Sequence, residues 1–102
     1  MTVNTDAYPL RDLTAQAAVR SGQLTGPASY ATGGDPVDVP NDLAMSEVWW
    51  FSALHPTNGT VILSTEYDYV NNKLKWFVAA GTEVSNATDL STYTTRFFAT
   101  GK

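Results

Sequence analysis

The chain of 102 residues contains a single histidine and no cysteine, which narrows the chemistry its side chains could perform. His55 stands just before Pro56. A neutral imidazole serves as a base or a metal ligand, but no second histidine or cysteine completes a metal set, so His55 reads as an exposed turn residue. Glu66 and Asp68 lie two apart on one predicted strand face, a spacing compatible with the paired carboxylates of a hydrolase. Lys73 and Lys75 fall across from them, which favours a structural charge ladder. The segment "GGDPVDVPND" gathers Asp35, Asp38, Asn41 and Asp42, oxygen donors of the kind calcium prefers. Its spacing departs from the EF-hand loop and two prolines stiffen it, so a solvated turn with capping residues is the favoured reading. No serine sits in a Gly-x-Ser-x-Gly elbow, and Gly33-Gly34 lacks the Lys-Ser/Thr of a phosphate loop. An enzyme would have to rest on Glu66, Asp68 and Asp89 alone. The expectation is a non-enzymatic chain with no catalytic residue, no cofactor and no metal ligand.

The aromatic residues point instead to binding. Trp49, Trp50 and Phe51 are consecutive, and successive strand side chains face opposite ways. The simple alternation puts Val48, Trp50 and Ser52 on one face, Trp49 and Phe51 on the other. Two readings stand. Either both faces are buried, between sheets or under the N-terminal segment, or Trp49 or Phe51 anchors an interface, where aromatic residues are enriched. Interface candidates are therefore Trp49 and Phe51, joined by Tyr8, Leu10 and Leu13 of the N-terminal segment. Sugar-stacking aromatics are a weaker alternative.

These residues need strands to hold them. In "EYDYVNNKLKWFVA", Asn71-Asn72 forms the tip of a predicted two-residue hairpin turn, since asparagine tolerates the positive φ of a type I′ turn. That register sets Tyr69 across from Leu74, Asp68 from Lys75, Tyr67 from Trp76, and Thr65 from Val78. Tyr67, Tyr69, Leu74, Trp76 and Val78 then share an apolar face, with Glu66, Asp68, Lys73 and Lys75 opposite. "VWWFSAL" is an apolar strand, "TVILSTEYDYV" another and "TTRFFAT" the last. "NDLAMSE" reads as one helical turn with Asn41 as N-cap. "LTAQAAVRSG" is ambiguous between a short helix and a strand interrupted at Gly26-Pro27. Short strands punctuated by Gly, Pro and Asn predict an all-β chain, an antiparallel β-sandwich of jelly-roll or Greek-key type. The dozen residues before the last strand suit a crossing between sheets. Residues 1–14 show no sustained period and few large apolar side chains, and read as an extended arm ordered by a neighbouring chain. Residues 15–102 form the single β-sandwich domain.

Hydrophobic residues make up 43% of the chain and aromatic residues 12%, enough large side chains to fill a small core. The net charge is −4 with only six Lys and Arg. Nucleic-acid binding draws on clustered cations, so none is expected, nor is an anionic membrane surface. No apolar run of about 18 residues is present to span a bilayer, and no charged-then-apolar leader pattern opens the chain. Folding in a reducing cytoplasm is expected from the cysteine count. The sequons at Asn58 and Asn86 are read as turn chemistry.

The order of motifs carries a resemblance. "SYATGGDPVDVPNDLAMSEV", "EYDYVNNKLKW" and "EVSNATDLSTYTTRFFATGK", across roughly residues 29–102, resemble small structural proteins of tailed bacteriophages, some of which are cement or decoration proteins on the head. The resemblance implies a β-sandwich or jelly-roll module without enzymatic activity, bound to the major capsid protein on the outer capsid surface of a virion assembled in the host cytoplasm. It also implies a homo-oligomer, a trimer in preference to a dimer. The N-terminal segment "DAYPLRDLTAQAAV" departs from the basic, Val-rich start of such proteins. The alternative is a tail- or head-associated carbohydrate-binding adhesin module.

Overall fold

A computed structural model describes residues 2–5, 18–79 and 81–102. In chain order its elements are β1 (Thr2–Thr5), β2 (Ala18–Thr25), β3 (Asp35–Pro36), α1 (Val39–Asp42), β4 (Val48–Ala53), β5 (Ser64–Asp68), β6 (Lys73–Ala79), β7 (Thr82–Glu83) and β8 (Thr94–Gly101). One sheet is ordered β1-β2-β8-β4 and the other β3-β6-β5, with β7 also on β6. Every strand pair is antiparallel. Among the described residues the chain is all-β apart from one short helical turn, as the strand punctuation predicts.

Burial follows the pleat. Along β8, Thr95, Phe97, Ala99 and Gly101 are buried while Thr94, Arg96 and Phe98 face outward, the period of two that places alternate residues on one face. Both sheets feed one hydrophobic cluster, with Leu24, Phe51, Phe97 and Ala99 from the first and Tyr67, Leu74 and Trp76 from the second. Phe51 stacks on Tyr67 at 4.7 Å and on Phe97 at 5.5 Å. Such pairs contribute about 0.5–1.5 kcal/mol beyond area burial, and this one ties β4 and β8 to β5. The segment after β6 does cross from one sheet to the other, ending in β8.

The opening hairpin differs from the two-residue turn. Tyr67 lies opposite Leu74, Glu66 opposite Lys75, Asp68 opposite Lys73, and Thr65 opposite Trp76. The loop therefore spans residues 69–72. The reason is local: Asp68 accepts hydrogen bonds from the Val70 and Asn71 backbone N–H groups (3.0 and 3.2 Å) and from Asn71 Nδ2 (3.0 Å), an Asx-type turn. Asn72 alone takes positive φ. Because the register shifts by two residues, the faces keep their character and each carboxylate gains a lysine opposite. Tyr67, Leu74, Trp76 and Leu63 are core residues, but Tyr69 and Val78 are exposed. Tyr69 sits in the loop, and a register irregularity between Phe77 and Ala79 turns Val78 outward.

The helix cap also differs. Asp38, not Asn41, caps α1. Asp38 accepts from the Asn41 N–H and its own N–H donates to Asp42 Oδ2 at 3.0 Å, a reciprocal cap that employs these acids structurally. "AVRSGQLT" is a strand, ending at the Gly26-Pro27 step. Within the expected arm 1–14, Thr2–Thr5 pair with Gly22–Thr25 of the chain's own β2, and residues 6–14 lie outside the described residues.

The outer edge of β6 has an unusual construction. β3 covers it at Lys73 and Leu74, β7 at Phe77 and Ala79. Between them the Trp76 carbonyl accepts from the Val84 N–H at 2.9 Å, and the Trp76 N–H donates to the Tyr30 hydroxyl at 3.1 Å. That hydroxyl in turn donates to Glu83 Oε2 at 2.6 Å, which also accepts from the Gly33 N–H at 2.8 Å. Gly33 and Gly34 both have positive φ, and a Cβ on Gly34 would lie 2.8 Å from Lys73 Cβ. The Gly-Gly turn is thus what brings β3 against β6. Burial and the Glu83 carboxylate push the Tyr30 hydroxyl well above the usual phenol range. The bond from Tyr30 and that from Gly33 hold the Glu83 carboxyl below the usual carboxylate range.

Two outcomes are expected. Trp76→Ala, which empties a fully buried site, costs about 3–5 kcal/mol in denaturant unfolding; a loss under about 1 kcal/mol would show that this face is not core. Tyr30→Phe leaves the Trp76 N–H without its partner and costs about 1–3 kcal/mol. Since Glu83 is depressed in the folded state, its contribution is present above the unfolded carboxyl pKa of about 4.3 and lost as pH falls through the lower folded value. Acid titration of stability should accordingly fall less steeply in Tyr30→Phe than in the native chain.

Candidate interaction surface

The Trp49-Trp50-Phe51 run does not alternate. The pairing of β4 with β8 shifts between Val48, opposite Gly101, and Trp50, opposite Thr100. A bulge places an extra residue on one strand and bends it. Val48 and Phe51 thereby both point into the core, and the two indoles are both left outside, Trp49 48% and Trp50 58% exposed. Of the two candidates in this run, Trp49 is at the surface and Phe51 is a core residue. Tyr8, Leu10 and Leu13 lie outside the described residues.

Trp50 belongs to an outward row structure on β4 and β8. Ser52 is opposite Phe98, and the Leu54 N–H donates to the Arg96 carbonyl at 3.0 Å. Leu54 is 67% and Phe98 41% exposed, and together with Ser52 and Arg96 they line a shallow depression of about 240 Å³. Exposed apolar side chains gathered in this way mark interaction surfaces more often than single ones do. Trp50, Leu54 and Phe98 were not among the sequence candidates. Phe97-Phe98 carries the same signal as Trp49-Trp50, since adjacent strand aromatics cannot both face one core, whereas the bulge has no signature in the residues themselves.

A second concavity, of about 230 Å³, lies where β4 and β5, outer strands of their respective sheets, approach each other. Trp50, Ser52, Thr65, Glu66, Tyr67 and Tyr69 contribute to its walls. The Tyr69 hydroxyl accepts from the Phe51 N–H at 3.1 Å and reaches the Phe51 carbonyl at 3.4 Å. It caps the middle of the β4 edge, where an unpaired strand would otherwise recruit another chain. Its ring meets Tyr67 edge-on at 5.0 Å, and burial, chiefly, raises the Tyr67 hydroxyl to about 12. Among the described residues, Glu66 is the one charged residue lining this groove.

Chemistry elsewhere is sparse. Among the described residues there is no cluster of three His, Cys, Asp or Glu side chains suited to a metal ion, and no helix long and apolar enough to cross a membrane. His55 is exposed in the loop after β4. Glu66 and Asp68 face lysines across the hairpin, and Asp89 Oδ1 accepts from the Ser91 N–H and hydroxyl. Asn58 Oδ1 accepts from the Thr60 and Val61 N–H groups, and Asn86 Oδ1 from the Thr32 N–H, so both sequon asparagines organise loops. The chain matches no family model, no curated protein and no solved structure.

Tyr69→Phe retains the ring and removes only the cap. Amide exchange at Phe51 is expected to accelerate at least several-fold, corresponding to about 1 kcal/mol of lost hydrogen bonding. An unchanged exchange rate would show that the β4 edge does not depend on Tyr69.

Proposed function

We propose that this protein is a structural component of a tailed-phage virion, a cement protein that binds the outer surface of the head. The reading rests on the resemblance across roughly residues 29–102, and one structural observation carries it: a bulged β4 that turns two adjacent indoles outward beside Leu54 and Phe98. A monomeric protein gains nothing in stability from leaving them in water, whereas aromatic anchors dominate protein interfaces. In this reading the two sheets, which share one hydrophobic cluster, are the layers of a jelly-roll-type β-sandwich. The partner is the major capsid protein, and the subunits associate as trimers through the same aromatic region.

The mechanism is linkage. A ligand that binds only the assembled lattice stabilises it by RT ln(1 + [L]/Kd). A subunit seated across neighbouring capsomers therefore raises the free energy needed to part them against internal pressure. No catalytic step is required.

Purified protein should co-sediment with DNA-emptied heads that have been stripped of loosely held proteins, and should raise their disruption temperature. The double variant Trp49→Ala, Trp50→Ala is expected to bind at least about 30-fold more weakly, the scale of a hot-spot loss, with its unfolding midpoint little changed. Failure of the native chain to bind heads, or equal binding by the variant, would overturn the respective part of the reading.

A further inference from the structure

We propose that the groove between β4 and β5 is a receptor for an arginine side chain on the partner protein. This deepens the cement reading by naming what the partner presents, but the groove's chemistry stands on its own geometry. Among the described residues, the walls include the half-exposed Trp50, the exposed Tyr69 and the carboxylate residue Glu66, with no lysine or arginine. The whole chain has a net charge of −4. Aromatic faces attract cations through their quadrupole, most strongly indole, and a carboxylate beside them supplies the complementary charge. A planar guanidinium satisfies both demands at once, stacking on a ring while its fork of N–H donors meets a carboxylate.

Two features favour a side chain over an added strand. The Tyr69 hydroxyl already occupies the Phe51 backbone N–H, so a peptide could not continue the β4 ladder through that point. The same bond holds the Tyr69 ring in place before any ligand arrives, which lowers the ordering cost of binding. Lys75, opposite Glu66 on β6, is the internal cation nearest in register. It is not part of the groove wall, so Glu66 retains a side open to a second positive group.

The test follows the Trp50 indole N–H and the Tyr69 ring by NMR in the full chain. The titrants are N-acetyl-arginine amide, its uncharged analogue N-acetyl-citrulline amide, and methyl α-glucoside. Saturable shifts with the arginine compound are expected at millimolar concentration, with citrulline at least about five-fold weaker. Glu66→Gln should weaken arginine binding by a similar factor, and raising the salt concentration should weaken it further. Equal responses to arginine and citrulline, a saturable response to the glucoside alone, or no effect of Glu66→Gln would overturn the proposal. Because Glu66 is exposed, that variant should fold normally, which its melting curve checks. Head binding separates the two readings. Heads that bind the native chain and Glu66→Gln equally well would leave the cement reading standing and sink the arginine receptor. An arginine-saturable groove on a chain that binds no heads would do the reverse.

Discussion

The fold depends on one hydroxyl group. β6 is the central strand of its sheet, yet no single strand covers its outer edge; two strands of two residues each, β3 and β7, share it. Strands so short leave a gap, and at that gap lies Trp76, the largest fully buried side chain among the described residues. The Tyr30 hydroxyl fills it by accepting from the Trp76 N–H and itself donates a hydrogen bond to Glu83. Tyr30 also exchanges backbone bonds with the 87–88 loop, donating to the Thr88 carbonyl at 2.9 Å and accepting from the Ala87 N–H at 2.6 Å. Without this residue, a buried donor is stranded, Glu83 keeps only its bond from the Gly33 N–H, and the 87–88 loop loses its backbone partners.

The opposite side of that sheet is organised by stacking rather than hydrogen bonding. Phe51 lies between Tyr67 and Phe97, and this placement is possible because the β4 bulge advances the strand by one residue. The same bulge expels Trp49 and Trp50. Core packing and the surface proposed for contact with a capsid are therefore two results of one backbone irregularity. Tyr69 adds a restraint: by bonding the Phe51 backbone it blunts an edge that would otherwise invite indiscriminate pairing, while leaving the aromatic surface open. Contacts by side chains are favoured over contacts by strand addition, and specificity benefits.

Much of this was legible in the residues. Strand punctuation by Gly, Pro and Asn located β4, β5, β6 and β8, and the alternation of apolar and charged residues identified Tyr67, Leu74 and Trp76 as inward residues of the hairpin, though not the exposure of Tyr69 and Val78. The absence of a second histidine or any cysteine already left no thiolate or imidazole set from which a metal site could be built. The hairpin loop differs from its local signal because Asn71-Asn72 suggests a two-residue turn, while Asp68 captures three donors and enforces a longer one. The helix cap moved from Asn41 to Asp38 for a related reason, since both are competent caps and the reciprocal bond with Asp42 selects between them. Of the two candidates on β4, Trp49 is exposed and Phe51 buried, and the direction of each depends on a bulge.

By itself, then, the sequence determined the class of structure, the strand periods and the lack of any thiolate, because these depend on local propensity, on alternation and on which side chains exist at all. Tertiary structure decided what those local signals leave open. Whether the gap beside Trp76 is filled, and by which hydroxyl, depends on a residue 46 positions away. Which indoles reach solvent depends on the register that β8 imposes on β4. Both are relations between distant segments, set by packing one sheet against the other, and no window along the chain contains them.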